Sequence, residues 1–288
     1  MSSDELSSTD TQNLQPAKAG VPWWAFTPSS RLHDTISELS LLNRSLLMAE
    51  LAKIAYMSPD HATDAVHTIG FDDATFFDRD GAQAYMLHAK EDCVVAFRGT
   101  EPHEWNDIKA DANAVTAVAE TVGRVHSGFK KEVDDLWPRL ETALVENTKA
   151  LWFTGHSLGG AMAAICAGRC LLSSIRSEPK QLFTYGGPRV GDKRYVTHAR
   201  IDWIRWVNNN DIVPRVPPRW MGYAHAGQEM YLNAHGKLRR MTKWQRVKDR
   251  WRGFLMSLRQ GKIDHLADHS IDRYISYIRD AVKEHEGT

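Results

Sequence analysis

Hydrophobic residues recur along the first third of the chain in two kinds of pattern. Between Leu32 and Ala55 they fall at three- and four-residue steps, which predicts one long helix, or two in series, ending near Ser58-Pro59. Residues 83–88 and 92–97 are separated by a short polar turn, which predicts a β-hairpin. Residues 71–78 fit neither pattern clearly, and we leave them unassigned.

Later apolar runs predict buried strands alternating with helices. Residues 151–153 and 203–207 suit strands buried on both faces, and residues 161–172 predict a helix that is apolar nearly all round. With 288 residues, 42% of them hydrophobic, the chain can bury a large core. We therefore expect one α/β domain over residues 21–288, preceded by a polar, disordered tail at residues 1–20.

The turn between the strand at 151–153 and the following helix reads Gly155-His156-Ser157-Leu158-Gly159. Glycines two residues before and after a serine are typical of a nucleophile elbow, in which a strained serine stands at a helix N-terminus. Helix N–H groups there favour a developing oxyanion. The competing interpretation is a plain glycine-rich loop, which the flanking strand and helix make less favourable.

A second stretch, residues 93–100, ends a strand at Arg98-Gly99-Thr100. A serine hydrolase needs two backbone N–H donors for its oxyanion, one after the nucleophile and one from a loop leaving an earlier strand. Leu158 and Thr100 are the candidates for this oxyanion hole. Taken alone, the stretch around Thr100 is more typical of an ordinary strand-to-loop turn.

Six short motifs follow one another along the chain. They are Phe97-Arg98-Gly99-Thr100, Val125-His126-Ser127-Gly128-Phe129, Gly155-His156-Ser157-Leu158-Gly159-Gly160, Tyr185-Gly186-Gly187-Pro188-Arg189-Val190-Gly191, Asp211-Ile212-Val213-Pro214 and Asp268-His269-Ser270. In this order and rough spacing the chain resembles the class 3 lipases, over residues 46–282. The resemblance implies an α/β-hydrolase fold with a central, mostly parallel sheet flanked by helices, a Ser-Asp-His triad, and hydrolysis of acylglycerol or related esters. Such chemistry needs neither a metal nor an organic cofactor.

The acid of the triad must lie after Ser157 and at the C-terminal end of a strand, because α/β-hydrolases place nucleophile, acid and histidine in that order. Asp211 follows the strand at 203–207 directly and is our candidate. Asp192 and Asp202 compete, but the first is typical of a helix start and the second precedes its strand.

Four histidines lie beyond Asp211 and could serve as the base. They are His225, His235, His265 and His269. The family resemblance carries the role to His269, which is followed by Tyr274 at the family's usual distance. His265 remains the second candidate. His126 and His156 also fall within motifs, but they precede the position that the triad order requires, so we expect structural roles for both.

The segment at residues 101–113 occupies the position of the lid in the family. Trp105 and Ile108, with Ala112, give a narrow apolar stripe on an otherwise polar short helix, which could cover an acyl groove. A plain surface helix anchored by Trp105 would show the same pattern.

A basic amphipathic insertion at residues 237–262 departs from the simplest family pattern. It contains ten basic residues and one acid, Asp249, so its net charge is 10 − 1 = +9. Apolar residues at helical steps suggest an interfacial helix on anionic lipid, or else a helix packed on the domain with a solvated basic face. The candidate membrane contacts are Lys243, Trp244, Arg246, Arg250 and Trp251.

Composition narrows the remaining possibilities. Basic and acidic residues balance at 36 each, and no recognition motif accompanies the basic segment, so we expect no nucleic-acid partner. Three cysteines, Cys93, Cys166 and Cys170, suit small buried core residues in a reducing compartment. The first 20 residues lack the pattern of a signal peptide, which predicts a cytoplasmic protein with peripheral membrane contact at most.

The sequence as a whole predicts a lipase or esterase acting on lipid or small ester substrates through Ser157, Asp211 and His269. Two alternatives remain open: a phospholipase A1 at a membrane surface, and a catalytically silent membrane-binding protein that has kept the fold.

Overall fold

A seven-stranded sheet runs through the described part of the chain, which comprises residues 25–99, 115–172, 175–239, 241–242, 244–245, 248–249 and 267–287 of a computed structural model. The strands in these ranges are β1 (Asp73–Arg79), β2 (Ala82–His88), β3 (Asp92–Phe97), β4 (Thr116–Val118), β5 (Arg124–His126), β6 (Ala150–His156), β7 (Pro179–Tyr185), β8 (Gly191–Asp192), β9 (Trp203–Asn208), β10 (Tyr223–Ala224) and β11 (Gln228–Leu232). The α-helices are α1 (Leu41–Ile54), α2 (Pro59–Ile69), α3 (Ser127–Glu146), α4 (Leu158–Cys170), α5 (Lys193–His198) and α6 (Ile271–Glu286). The tail at 1–20 and the lid segment at 101–113 lie outside the described residues.

The order of strands in the large sheet is β1-β2-β3-β6-β7-β9-β11. The first three strands pair antiparallel, and every pair from β3 to β11 is parallel. The carboxyl ends of the parallel strands therefore meet at one edge of the sheet, where α/β enzymes place their ligands. A second, four-stranded antiparallel sheet has the order β10-β8-β5-β4.

Hydrophobic side chains form one buried layer on each face of the large sheet. Along β6, Trp152 joins the layer under α1, α2 and α6, whereas Leu151 and Phe153 join the layer under α3 and α4. The alternation follows from the two-residue period of a strand, and the sheet is covered by helices on both faces. This is the helix-flanked, mostly parallel sheet predicted from the sequence.

The long helix predicted from residue 32 begins later than expected. Only a short 3-10 turn, Ile36–Glu38, precedes α1, which starts after Ser40 because the Ser40 side chain caps the helix by accepting a hydrogen bond from the Asn43 amide at 3.2 Å. Pro59, interpreted above as a breaker, instead opens α2 at its first position, where proline's missing N–H costs nothing.

The predicted hairpin is present as β2 and β3, with Ala84 opposite Phe97. The unassigned residues 71–78 contribute most of β1, the edge strand of the large sheet. Its side chains are largely exposed, so a buried-strand pattern could not form there. All three cysteines are buried and free.

Candidate active site

Ser157 stands at the sharp turn between β6 and α4. Its backbone has φ 59° and ψ −129°, a strained conformation for a residue other than glycine, and its side chain is fully buried. The turn is held because the Ser157 amide donates a hydrogen bond to the carbonyl of Tyr185, at the end of β7, at 3.0 Å. The strain is thus fixed by a neighbouring parallel strand, and the hydroxyl is placed at the N-terminus of α4.

Glycines around Ser157 permit close backbone packing. A Cβ on Gly155 would overlap the backbone of Gly159, and a Cβ on Gly159 would overlap the carbonyl of Phe97 at the end of β3. The first turn of α4 therefore packs directly against two strand ends. This contact is why the elbow needs glycine two residues before and two residues after the serine.

His269 and Asp211 meet Ser157 at the carboxyl edge of the sheet. The Oγ of Ser157 lies 2.8 Å from Nε2 of His269, and Nδ1 of His269 lies 2.9 Å from Oδ2 of Asp211. Asp211 follows β9, and His269 ends a 3-10 turn directly before α6. Both side chains are at most 1% exposed, so water does not compete for these hydrogen bonds. The structure thus brings the three residues predicted as a triad into one hydrogen-bonded chain.

The Asp211 carboxylate receives further hydrogen bonds from two groups. The hydroxyl of Tyr274, on α6, donates to Oδ2 at 2.7 Å, and the amide of Val213 donates to Oδ1 at 2.9 Å. Burial, and next the neighbouring charge of Asp211, hold the pKa of Tyr274 well above its usual value of 10, so the phenol keeps its proton and remains a donor. From the sequence, Tyr274 was noted only for its distance from His269, and no contact with Asp211 was predicted for it.

Gly186 leaves room for the acid and base to meet. Its φ is +61°, and a Cβ there would lie 2.7 Å from Oδ2 of Asp211 and 2.9 Å from Nδ1 of His269. The Tyr185-Gly186-Gly187 motif was visible in the sequence, but its contact with Asp211 and His269 depends on the neighbouring β7 and β9 and could not be read from it.

His156, directly before Ser157, lies inside the same network. Its Nε2 is 2.7 Å from the carbonyl oxygen of His269, and its Nδ1 is 3.0 Å from the hydroxyl of Tyr56. Burial, and next the neighbouring His269, lower the pKa of His156 well below 6.5, so this ring is neutral. His126, the other motif histidine, stacks on Phe129 at a centroid distance of 4.0 Å.

One of the two predicted oxyanion residues is described. Leu158 is the first residue of α4, so its amide stands at the helix N-terminus beside Ser157. Thr100 lies outside the described residues. Gly99, directly before it, packs so closely on the elbow that a Cβ would lie 3.2 Å from Cβ of Ser157.

The other aspartates and histidines considered for the acid and the base lie away from Ser157 or outside the described residues. Asp192 caps α5 by accepting a hydrogen bond from the Tyr195 amide at 2.7 Å, and Asp202 accepts one from Gln181. His225 contacts the carbonyl of Pro214 at 2.7 Å, and His235 lies in the turn after β11. His265, the second candidate for the base, falls outside the described residues.

Most of the predicted surface contacts also lie outside the described residues. These are Trp105, Ile108, Lys243, Arg246, Arg250 and Trp251. Trp244 is described and is 79% exposed, whereas Leu238 packs against the core and forms an isolated bridge with Leu232 of β11. The two residues therefore do not share one buried helix face. Asp249, the only acid of the segment, is 5% exposed and accepts hydrogen bonds from the Tyr231 hydroxyl and the Ala234 amide.

The described residues contain no group of three or more His, Cys, Asp or Glu side chains that could hold a metal ion. No helix in this part of the chain is both long and apolar enough to cross a membrane.

Known proteins resemble this chain over the region that carries Ser157 and Asp211. Residues 94–221 match the family described as "Lipase (class 3)". A lipase of Rhizopus niveus is 38% identical over 121 residues, which is 38% of this chain and 31% of the relative. The secreted mono- and diacylglycerol lipase 1 of Fusarium solani is 29% identical over 186 residues, covering 61% of this chain and 54% of the relative. The match therefore spans about a third to a half of these curated relatives.

A solved structure gives the same likeness in three dimensions. Lipase II of Rhizopus niveus superposes with a TM-score of 0.57 at 26% identity, covering 66% of this chain and 80% of that one. Together with the helix-flanked, mostly parallel sheet, this likeness confirms the α/β-hydrolase fold predicted above.

The relatives correct one prediction. The F. solani lipase and a similar mono- and diacylglycerol lipase of Penicillium cyclopium, 30% identical over 188 residues, are both secreted enzymes, which contradicts the cytoplasmic location predicted here. That prediction rested on the polar first 20 residues and on three cysteines that suit a reducing compartment. Residues 94–221, which include β3, β6, Ser157 and β9, match the class 3 lipase model, so this chain is similar to the class 3 lipases over that part of its length.

Proposed function

We propose that this protein hydrolyses carboxylic esters, with acylglycerols as its substrate class, through a serine nucleophile. The observation that carries the proposal is the buried chain from Ser157 Oγ to His269 Nε2, 2.8 Å, and from His269 Nδ1 to Asp211 Oδ2, 2.9 Å. Nucleophile, base and orienting acid at these distances are what acyl transfer requires. The lipase names of the relatives support the substrate class.

The proposed reaction has two halves. His269 takes the proton of Ser157 as Oγ attacks the ester carbonyl, and Asp211 stabilises the imidazolium and holds its tautomer. The amides of Leu158 and Thr100 stabilise the oxyanion. His269 then protonates the leaving alcohol, which leaves an acyl group on Ser157. Water, activated by His269, attacks the acyl-enzyme and releases the acid.

The nucleophile is tested by replacing Ser157 with alanine. We expect Ser157→Ala to lose hydrolysis of p-nitrophenyl butyrate by several orders of magnitude and to lose labelling by a fluorophosphonate probe, because triad members act as a unit. Wild-type protein treated with the probe should carry the adduct on the peptide that contains Ser157. Labelling that persists in the variant would contradict the assignment.

The base is tested by two parallel substitutions. His269→Ala should lose about as much activity as Ser157→Ala, whereas His265→Ala should keep most of the wild-type rate. The reverse result would move the role to His265.

The burial of Ser157 bears on how a lipid reaches the site. Because Ser157 and His269 are at most 1% exposed, some covering group must move before an acyl chain can enter. We propose that the segment at 101–113, with Trp105 and Ile108, is the lid that moves. The rate on tributyrin should then rise steeply once the substrate exceeds its solubility, and a smooth saturation curve through that point would count against a lid.

A second proposal concerns contact between the basic segment and anionic membranes, which a phospholipase A1 would also need. It is favoured by the 79% exposure of Trp244 and by the composition of the segment, which has ten basic residues and one acid, the buried Asp249. Each Lys or Arg near an anionic surface contributes about 1 kcal/mol.

Vesicle sedimentation tests this second proposal. Wild-type protein should sediment with phosphatidylglycerol vesicles and much less with phosphatidylcholine vesicles, and charge reversal at Lys243, Arg246 and Arg250 should remove the difference. Hydrolysis of a soluble short-chain ester should persist in that variant. Equal sedimentation with both vesicles would end the electrostatic proposal, and a parallel assay on phospholipid and triglyceride would separate the phospholipase from the lipase.

A further inference from the structure

Tyr56 and His156 join the end of α1 to the backbone of the proposed base. The Tyr56 hydroxyl lies 3.0 Å from Nδ1 of His156, and Nε2 of His156 lies 2.7 Å from the carbonyl oxygen of His269. Tyr56 and His156 are both less than 10% exposed, so each hydrogen bond lies in the protein interior. The rings of His156 and His269 are 4.6 Å apart at their centroids and tilted by 32°.

Only one protonation state of His156 satisfies both contacts. A carbonyl oxygen can only accept, so the proton of the neutral ring must be on Nε2, facing His269. Nδ1 then has a lone pair, and the Tyr56 hydroxyl must donate to it. The lowered pKa of His156, caused first by burial and then by His269, excludes a second proton on the ring.

We propose that Tyr56 and His156 are a positioning pair for His269. Tyr56 selects the Nε2–H tautomer of His156, and His156 fixes the His269 carbonyl and thereby the distance between the His269 ring and Ser157. The inference rests on the function proposed above, in which His269 is the base.

The backbone of His269 needs such a restraint because it lies in a short 3-10 turn, Ala267–His269, rather than in a longer helix. The backbone carbonyl of Asp268 accepts a hydrogen bond from the side-chain amide of Asn208 at 2.9 Å. His156 makes the corresponding bond to the next carbonyl, that of His269. Two adjacent carbonyls are thus held by side chains from the ends of β9 and β6. A displacement of about 1 Å at a reacting group can cost about 100-fold in rate.

The Tyr56 hydroxyl also touches the strand end that leads to Thr100. A Cβ on Gly99 would overlap this hydroxyl, and the guanidinium of Arg98 lies 5.8 Å from the Tyr56 ring. Tyr56 therefore stands between the segment that leads to the predicted oxyanion residue and the carbonyl of the base. The pair acts on His269 through its backbone carbonyl and through ring packing, so we assign it a positioning role outside the catalytic triad.

The tautomer of His156 is the first test, and it does not depend on activity. Long-range ¹⁵N–¹H correlation spectra of protein labelled with ¹⁵N-histidine distinguish Nε2–H from Nδ1–H rings. We expect His156, assigned by its absence from His156→Gln, to be neutral and in the Nε2–H form in the wild-type protein. In Tyr56→Phe the Nδ1–H form should become detectable. An Nδ1–H ring in the wild-type protein would overturn the inference.

Steady-state kinetics with a soluble ester provide the second test. Tyr56→Phe removes the hydrogen bond to His156 and should lower kcat about 3- to 10-fold with KM within about twofold, since the position of the base changes. His156→Leu should lower kcat about 100-fold. His156→Gln, whose amide nitrogen can still donate to the His269 carbonyl, should recover most of that loss.

A double-mutant cycle separates positioning from simple packing. If Tyr56 acts through His156, the kcat of Tyr56→Phe/His156→Leu should equal that of His156→Leu within about twofold. Tyr85→Phe is the matched control, because the Tyr85 hydroxyl is equally buried and donates to the carbonyl of Met57 at 2.8 Å. It should lower thermal stability as Tyr56→Phe does but leave kcat unchanged.

The outcomes distinguish this inference from the proposed function. A wild-type protein that hydrolyses no ester would defeat the proposed function, while the tautomer measurement would still decide the hydrogen-bond pattern. An active wild-type protein whose kcat is unaffected by Tyr56→Phe would defeat the positioning pair alone. Should His156→Leu fail to fold, Tyr56→Phe and His156→Gln still decide the matter, because a folded Gln variant whose kcat falls by about 100-fold would contradict the claim that a hydrogen-bond donor to the His269 carbonyl is what positions the base.

Discussion

Two residues of the site adopt a positive φ, and each does so for a different physical reason. Ser157, at φ 59°, accepts strain because the elbow must present its hydroxyl at the N-terminus of α4. Gly186, at φ 61°, adopts a conformation that glycine tolerates without strain, and a side chain there would occupy the space in which Asp211 and His269 meet. The backbone of Ser157 is therefore strained, whereas that of Gly186 is not.

Gly186→Ala should therefore damage activity more than stability. The new methyl group would stand 2.7 Å from Asp211 Oδ2 and 2.9 Å from His269 Nδ1, so the carboxylate and imidazole must separate. We expect kcat/KM to fall by about 100-fold, in line with a misplacement of about 1 Å. The measurement is hydrolysis of a soluble p-nitrophenyl ester together with the thermal midpoint.

Gly222→Ala is the control for Gly186→Ala. Gly222 also has a positive φ, +89°, but a Cβ there meets nothing within 4 Å. It should cost stability through backbone strain of about 1 kcal/mol and leave the rate unchanged. Equal losses of activity in the two variants would show that strain, and not the clash with Asp211, is responsible.

Chain order and the ends of strands indicated Ser157 and Asp211, whereas the choice of His269 over His265 came from the family resemblance. Ser157, Asp211 and His269 each stand at a recognisable strand or helix end, and the structure places them together. The contacts of Tyr56 and Gly186 were not predictable, because they join residues distant in sequence. Tyr56 and His156 are 100 positions apart, and nothing in either local pattern indicates the other.

At the scale of elements, α1 and α6 pack together. Because His269 lies just before the start of α6, this packing helps to place it at the edge of the sheet. Lys53 on α1 is fully buried and pairs with Asp272 at the start of α6, while Glu50 receives a hydrogen bond from Arg279 at 3.2 Å. Lys53 also lies 4.3 Å from the ring centroid of Phe26. The start of α6 is therefore positioned by charge pairs as well as by apolar contacts.

Asp272→Asn should destabilise the protein because it removes the carboxylate partner of a buried ammonium group. Breaking a buried ion pair costs about 3–5 kcal/mol, and we expect the lower end because Asp272 is 28% exposed. Chemical denaturation measures this loss. Asp280→Asn, at an exposed position on the same helix, should change stability by less than about 0.5 kcal/mol. Equal effects of the two substitutions would contradict a specific role for the Lys53 pair.

Element boundaries were the part of the fold that the sequence predicted least well. Apolar residues before Ser40 extended the helical period beyond the true start of α1, and Pro59 was read as an end although proline suits the first turn of a helix equally well. Buried strands were recognised more reliably, because a run such as residues 151–153 is apolar on both faces. The edge strand β1 gives no such signal.

At the scale of the molecule, the sheet collects the ends of β3, β6, β7 and β9 at one edge, and every described residue of the site lies there. The α/β class was predictable from the alternation of strands and helices, but the order of strands was not, since it depends on crossovers between distant segments.

The predicted cytoplasmic location was wrong. It was inferred mainly from the lack of a signal-peptide pattern in 20 residues, and such a lack says little about where relatives of this fold act.

Two histidines, the buried His156 and the half-buried His225, give the whole molecule a dependence of stability on pH. Burial is the first cause that lowers the pKa of both His156 and His225 well below 6.5, and Arg205 is the next cause at His225. The unfolded chain binds protons at these rings below about pH 6.5, whereas the folded chain does not. More protons are then bound in the unfolded state, so stability is complete above pH 6.5 and decreases as the pH falls below that value.

Each of the two histidines should lower the free energy of unfolding by at most about 1.4 kcal/mol per pH unit below pH 6.5. His225→Gln removes one titrating ring, while its amide can still donate to the Pro214 carbonyl that His225 contacts at 2.7 Å. The free energy of unfolding of this variant should therefore fall less than that of the wild-type protein between pH 7 and pH 5. Urea denaturation at intervals of half a pH unit measures both curves. Parallel curves would mean that His225 binds protons equally in the folded and the unfolded protein, and this result would contradict the assignment of a neutral ring in the folded state.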